Sequence, residues 1–408
     1  MNFKYKKVGF DIVFNMMATA FPTVVLQLLI YPWLAQRLSN ERYGIMLTIL
    51  SVMQLIYGTL GSSLNNVRLL RDSEYEKKHL NGDFNIFVIR SCVIAIVSIT
   101  IFSAFYMRNE PAIERVIVTI STTLFLLFTY LEVSFRLILN FKKILFVNIL
   151  MTIGYCSGYG LFLITRVWSF VYLMAALLPF VYTFVSSGLL KEPYCKTKLF
   201  AATSKDLCNL NLSGFCSRFL IYADKMILFP LLGGGQVAVY HAANFIGRIL
   251  LMATKPINSV ILSYLAKSKN QNSKRSYKYL AILLVMCFIG YGICMLLSEM
   301  VIKWRYPQYV EAAMNLVPIT TLSLCIMTYA NFITPLTLKF CKMVWQVVIN
   351  FITIITYVVS ILILYKQFGL SGFCWGVTIG YFIKLLLLII IYISPQTKSI
   401  YKKEDRSL

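Results

Sequence analysis

Acidic side chains are scarce in this chain: 16 Asp and Glu stand against 39 Lys and Arg in 408 residues, with only two histidines. Charge of either sign is thin, at 13% of residues, so there is too little polar surface for a soluble domain of this length. The ten cysteines are scattered, with no Cys-x-x-Cys pair and no Cys/His spacing suited to zinc. No metal centre and no disulfide framework is therefore expected. A net charge of +23 could suit a nucleic-acid binder, but the basic residues are dispersed among apolar runs, so no nucleic-acid partner is expected. The runs themselves are the main content. The chain is 59% hydrophobic with mean hydropathy +0.73, which defines a polytopic membrane protein.

Apolar stretches of membrane-spanning length predict twelve helices, near 12–36, 44–65, 85–107, 116–138, 144–165, 168–190, 207–232, 237–262, 279–300, 310–335, 344–365 and 370–393. Lys4, Lys6 and Lys7 precede the first run without a convincing cleavage site, so that run is expected to remain as a span. Alternate connections differ sharply in charge. One set, including both termini, holds 24 Lys and Arg and the other holds 8, which places both termini in the cytoplasm. All loops assigned to the outside are short. The longer ones, Asn66 to Phe84, Lys191 to Asp206 and Ala266 to Lys278, face the cytoplasm and are too short for a catalytic domain. The expectation is a transporter rather than an enzyme. Trp33, Trp168, Trp304, Tyr31 and Tyr306 fall near outer span ends, as an aromatic belt would.

Two neighbouring runs, Asn211 to Asn258, carry Arg218, Asp224, Lys225, Arg248 and Lys255 inside membrane-spanning sequence. Each such charge costs roughly 2.5–3.5 kcal/mol to insert, so it normally faces a wet or protein-lined interior. Asn211, Arg218 and Lys225 recur every seven residues, as do Arg248 and Lys255, so each set keeps one helix face. His241 and Asn244 share the stripe of Arg248. Arg218 lies about 11 residues into its run, roughly 16 Å of helix, too deep to snorkel easily. Two helices with inward cations predict a site or pathway for something anionic; the alternative, that some of them snorkel or pair with one another, suits Lys255 better than Arg218. Glu132 and Arg136, one turn apart, predict an ion pair, with a gate or coupling site as the alternative. Asp224 points about 100° away from Lys225, and is either structural or a coupling carboxylate. Asp11, Arg90 and Lys384 lie toward span ends, where snorkelling is expected.

The chain also repeats itself. Leu38 to Met46 parallels Leu232 to Tyr240, each a span end, a tight polar turn and a new span. Six spans with one orientation then imply parallel halves, 1–200 and 201–393, followed by a cytoplasmic tail, 394–408. By this offset the first half is neutral where the second is cationic, with Val24, Tyr31, Gln54 and Gly61 opposite Arg218, Lys225, Arg248 and Lys255.

At these turns the chain resembles the polysaccharide flippases of the multidrug/oligosaccharidyl-lipid/polysaccharide exporter (MOP) superfamily. The stretch Tyr31 to Gly44 resembles a first helix ending in Arg-Leu, a polar turn and an aromatic-Gly pair. Gly61 to Arg68 resembles the small-residue exit from the second helix, and Asp224-Lys225-Met226-Ile227-Leu228 the Asp-Lys-apolar signature. Val237-Ala238-Val239-Tyr240 with Ala242-Ala243 is near the Val-Gly-x-Tyr-x-Ala pattern, with Ala238 in place of glycine and His241 as an interruption. The resemblance implies a MATE-like fold of two six-helix bundles around a central cavity, with alternating access. Wzx-type O-antigen flippases fit best among these families. They imply an undecaprenyl-diphosphate-linked oligosaccharide as substrate, carried from the cytoplasmic to the outer leaflet of a bacterial inner membrane. A polysaccharide polymerase and a chain-length regulator are implied as partners, beside membrane lipids. On this reading Arg218, Lys225, Arg248, Lys255 and Asn244 hold the diphosphate, while Gln27, Gln54, Tyr57 and Asn65 solvate the sugars. Asp224, Glu132 and Arg136 are the coupling or gating candidates. H+ or Na+ coupling stays unassigned, and no other cofactor is expected. A multidrug or cation exporter of the same superfamily, and less readily a membrane polymerase or glycosyltransferase, are the alternatives.

Overall fold

The computed structural model describes residues 21–249, 251–252, 273–340 and 343–393, which are helical nearly throughout. Eight described helices are long and apolar enough to cross a membrane, so the chain is an all-α, multi-pass membrane protein. Contacts divide it into two compact units, Met1–Pro230 and Leu231–Leu408. The division into equal halves at 200/201 is a statement about the repeat. By contacts, the seventh predicted span goes with the first unit as far as Pro230.

In the first unit, α1 (Phe21–Ala35) contains a π-turn at Leu26–Ile30 that carries Gln27. Such turns leave the i→i−4 ladder locally open and recur at functional sites. The Ser39 hydroxyl accepts from the Arg42 N–H and starts α2 (Asn40–Lys77). α2 is the core of the unit: 83% of its apolar window is buried, against 33% for α3 (Asp83–Tyr106). α3 accordingly turns Ile89, Val93, Ile96, Val97 and Ile101 outward, as lipid contact requires. α4 (Ala112–Leu137), α5 (Phe141–Thr165) and α6 (Phe170–Ser187) complete the bundle, and α7 (Phe200–Leu232) closes it. α2 and α7 extend well past the predicted spans, so much of the loops expected at Asn66 to Phe84 and Lys191 to Asp206 is helix. Those extensions are pinned by polar contacts at the basic end. Asp83 accepts from the Thr197 N–H at 2.7 Å and from the Tyr75 hydroxyl at 2.6 Å, and Arg71 pairs with Asp206 at 2.6 Å.

The turn expected to span Leu232 to Gln236 is a single residue. Gly233 takes φ 83°, a conformation side chains resist, and Gly234 already opens α8 (Gly234–Ala243). In the second unit α9 (Ser273–Arg305), α10 (Val317–Phe340) and α11 (Met343–Ile393) follow, with the short helices Pro307–Tyr309 and Val310–Met314 before α10. Within α11 the apolar stretch Val348–Tyr392 has 45 residues, roughly 67 Å of helix and twice a hydrocarbon core. Gly369, at φ 56° and ψ −130°, breaks it into the two spans the sequence predicts. Ala330, Ile333, Ile349 and Leu388 form the core these elements share.

Two expectations are corrected. Trp168 and Tyr306 are fully buried and Tyr31 nearly so, which makes them interior packing rather than a lipid-facing belt; Trp304 is 67% exposed. Lys384 does not snorkel. It lies nine residues from the end of α11 on a stripe with Val377, Tyr381 and Leu388, all buried. Arg90 is exposed and its guanidinium lies 5.4 Å over the Phe200 ring. Asp11 lies outside the described residues.

Candidate functional site

In the first unit Arg218 and Tyr57 are the predicted residues that come together. Arg218 sits at mid-length of α7, half-buried, and its Nη2 donates to the Ser62 hydroxyl of α2 at 3.0 Å. Two glycines make room for the guanidinium. A Cβ on Gly58 would stand 3.0 Å from Nε, and one on Gly214 would stand 3.1 Å from Nη1. No carboxylate pairs with Arg218 among the described residues. Its polar surroundings are hydroxyls: the Tyr57 hydroxyl is within electrostatic range of Arg218 and of Tyr31, Tyr155 and Tyr222. Tyr172 adds a hydrogen bond with Tyr31, and its ring meets Tyr155 edge-on at 6.1 Å. Tyr57 of α2 and Tyr222 of α7 thus neighbour the guanidinium, and Tyr31, Tyr155 and Tyr172 of α1, α5 and α6 lie around Tyr57. Such a cluster offers donors and acceptors to hydroxyls and a cation to an anion.

The other predicted residues of this unit differ in role. Gln27 is buried with its Oε1 unpaired among the described residues, and Gln54 is half-buried. Tyr57 stacks its ring on Phe125 at 4.8 Å. Asn65 is committed elsewhere: its Nδ2 donates to the Thr129 carbonyl at 2.8 Å, tying α2 to α4. Lys225 and Asp224 are 5% and 3% exposed, and Asp224 Oδ1 accepts from the Lys225 backbone N–H at 2.8 Å. Glu132 and Arg136 form the expected pair at 3.0 Å, with the arginine 43% exposed. An exposed i,i+4 pair contributes about 0.3–0.5 kcal/mol. E132Q should therefore leave both the melting temperature and transport close to wild type; a loss of transport with intact folding would assign the pair to gating instead.

In the second unit Asn244 is 1% exposed, and both atoms of its amide are buried without a hydrogen-bond partner among the described residues. Leaving such an amide unpaired is costly for a side chain with this many donors and acceptors. Arg248 follows one turn later, half-buried, and His241 is buried with its ring edge-on to Tyr306 at 6.1 Å. Lys255 lies outside the described residues. Sequence reasoning passed over one group altogether, Arg42 with Glu110 and Glu114. Its members are 68 and 72 residues apart, so only the fold joins them.

The fold and these sites define a class, a multi-pass helical membrane protein with the MATE-like fold. No protein-family profile and no curated protein matches the chain. Solved structures do. An inward-facing multidrug-resistance MATE transporter of the MOP superfamily superposes with a TM-score of 0.68 at 14% identity, over 93% of this chain and 95% of that one. The lipid II flippase MurJ, in an inward closed conformation, gives 0.68 at 16% identity over 94% and 86%. The Vibrio cholerae MATE transporter VcmN in its bent form gives 0.64 at 11% identity over 96% of each.

Proposed function

We propose that this chain is a flippase that carries an undecaprenyl-diphosphate-linked oligosaccharide from the cytoplasmic to the outer leaflet by alternating access. The observation that carries this reading is Arg218, a half-buried mid-helix guanidinium with hydroxyl neighbours and no carboxylate partner among the described residues. A cation exporter would be served by acids at this depth, whereas a guanidinium among tyrosines serves a diphosphate with sugars attached. The orphan amide of Asn244, Arg248 beside it, and Lys225 are the further proposed contacts, and Lys255 belongs to the same stripe. Gln27, Gln54 and Tyr57 solvate the sugars. Asn65 keeps its place in the proposal through its unpaired Oδ1 alone. A fold neighbour named as a lipid II flippase supports the substrate class; the MATE neighbours support the exporter alternative equally by fold, so the preference proposed here rests on the charge at Arg218. The proposed setting is a bacterial inner membrane, with a polysaccharide polymerase and a chain-length regulator as partners.

The test replaces Arg218 in cells that depend on this chain. R218Q removes a charge-assisted contact worth about 1.5–3 kcal/mol, so export of surface polysaccharide should fall at least about tenfold. R218E should abolish it, R218K should retain part, and the lipid-linked unit should accumulate on the cytoplasmic face. Normal export by R218E at normal protein level would overturn the reading. Unchanged polysaccharide with loss of resistance to cationic dyes would favour the exporter.

A further inference from the structure

At the basic end of the first unit two cations share one aromatic ring. Arg90 stands seven residues into α3 and is exposed, and its guanidinium lies 5.4 Å from the centre of the Phe200 ring. Lys196, on the segment that leads into α7, is exposed as well and brings its ammonium to 5.3 Å from the same ring. Neither makes an ion pair among the described residues. The acids of α3, of that segment and of the first turns of α7 are already engaged: Asp83 by Tyr75 and Thr197, Glu192 by Arg68, and Asp206 by Arg71. Two like charges held at one ring repel unless an anion joins them.

The pair is held in place. Phe87, three residues before Arg90, stacks on Phe200 at 4.9 Å and fixes the ring. Lys196 is anchored on both sides, by the Cys195 thiol donating to the Asn81 carbonyl at 3.1 Å and by the Thr197 N–H donating to Asp83 at 2.7 Å. Cations positioned in this way lose little freedom when they bind. Arginine offers a planar fork to phosphate oxygens and lysine a movable point charge.

The surface beside Arg90 fits what such an anion is attached to. Arg90, Ile94, Val97 and Ile101 recur at helical spacing on one face of α3, and the three apolar side chains are 52–63% exposed. That face is built for lipid chains, and Arg90 stands about 10 Å of helix from the start of α3, near the level of the headgroups.

We propose that Arg90 and Lys196 bind the phosphate of an anionic phospholipid whose chains lie along Ile94, Val97 and Ile101. A free phosphate offers the same oxygens but gains nothing from the apolar face, so a lipid is the source this surface fits. Phe200 precedes Arg218 by 18 residues of α7, about 27 Å of helix. The lipid site therefore stands whatever the chain transports, and its failure would leave the Arg218 reading untouched.

The experiment titrates the full chain, purified in detergent, with phosphatidylglycerol or with phosphatidylcholine of the same acyl chains, and counts lipid-bound species by native mass spectrometry. Wild type is compared with R90Q/K196Q and with K77Q/K205Q, which removes two exposed lysines of the same end but leaves the ring its cations. Wild type should hold one phosphatidylglycerol that phosphatidylcholine does not displace. R90Q/K196Q should bind it about thirtyfold more weakly, the effect of two basic residues at an anionic surface, and K77Q/K205Q should match wild type. K196Q alone, an exposed change outside any helix, should weaken binding about fivefold and serves if the double variant elutes poorly. Tight phosphatidylglycerol binding by both R90Q/K196Q and K196Q, or equal weakening in K77Q/K205Q, would overturn the proposal. Displacement of phosphatidylglycerol by millimolar inorganic phosphate would overturn the lipid as its source.

Discussion

Leucine at Gly154 and Gly158 together should stop the first unit from folding, while alanine at Gly160, on the same helix, should pass unnoticed. A Cβ on Gly154 would come within 2.4 Å of the Met174 carbonyl oxygen, and one on Gly158 within 2.6 Å of the Phe170 carbonyl oxygen. Both obstacles are backbone of α6, which cannot rotate aside as a side chain could. α5 and α6 would have to separate, losing the packing that holds helices together where lipid gives no hydrophobic drive for association. Overpacking usually costs about 1–3 kcal/mol, and two clashes against backbone should reach or exceed the top of that range. Gly160 has open space around its Cα, so Gly160→Ala tests the same helix without the clash. The measurement is the fraction of a fluorescent fusion that elutes as a monodisperse peak after detergent extraction. Equal fractions for wild type and the double leucine variant would show that the α5–α6 seam is looser than described.

The second unit uses the same device on the other partner of its hairpin. Gly372, Gly376 and Gly380, spaced by four, lie in the second half of α11 against Leu364, Ile361 and Tyr357 of the first half. These seams were available in the sequence, since Gly-x-x-x-Gly marks close helix approach, but they are easily passed over in a chain with 20 glycines. The spans were legible for a stronger reason. A run of about 20 apolar residues has few other uses, and even the two spans fused in α11 are separated at Gly369 as the hydropathy predicts. Helix ends were less legible, because α2 continues through the charged segment to Lys77 once Arg68, Arg71 and Tyr75 find tertiary partners.

The stripe of Arg218 could be read from its seven-residue spacing, since helix period alone fixes which residues share a face. What the period cannot give is the partner. Asn65 shares a polar helix exit with Ser62 and Ser63, yet it turns to Thr129 while Ser62 receives Arg218. Lys384 was misjudged for a related reason. Distance to a span end says how far a lysine must reach, but the buried face it occupies decides whether it can. The trio of Arg42, Glu110 and Glu114 was beyond reach altogether, because two short turns far apart in sequence bring it together.

Arg68 carries the other large expected effect. It lies nine residues before the end of α2, where Nη1 and Nη2 donate to the two oxygens of Glu192 at 2.8 and 2.6 Å and the guanidinium lies 4.4 Å over the Phe84 ring. The side chains are 10% and 18% exposed, so most of the pair is out of water. Arg68→Met keeps the stem and deletes the charge, leaving Glu192 mostly buried with no guanidinium. Losing one partner of such a pair should cost about 3 kcal/mol, the lower end of the usual range because Glu192 keeps some access to water. The double variant R68M/E192M should recover much of that loss, since no charge then remains unpaired. Glu192 also holds Asn85 through its carbonyl, at 2.6 Å, in the segment that leads from α6 into α7. Loosening it therefore frees the start of the helix that presents Arg218, and R68M should lower transport as well as the melting temperature. R68M/E192M should regain melting temperature ahead of transport, because the tether stays cut. If R68M melted like wild type, the fork between Arg68 and Glu192 would be a surface pair of little consequence, and α7 would owe its position to Arg71 and Asp206 instead.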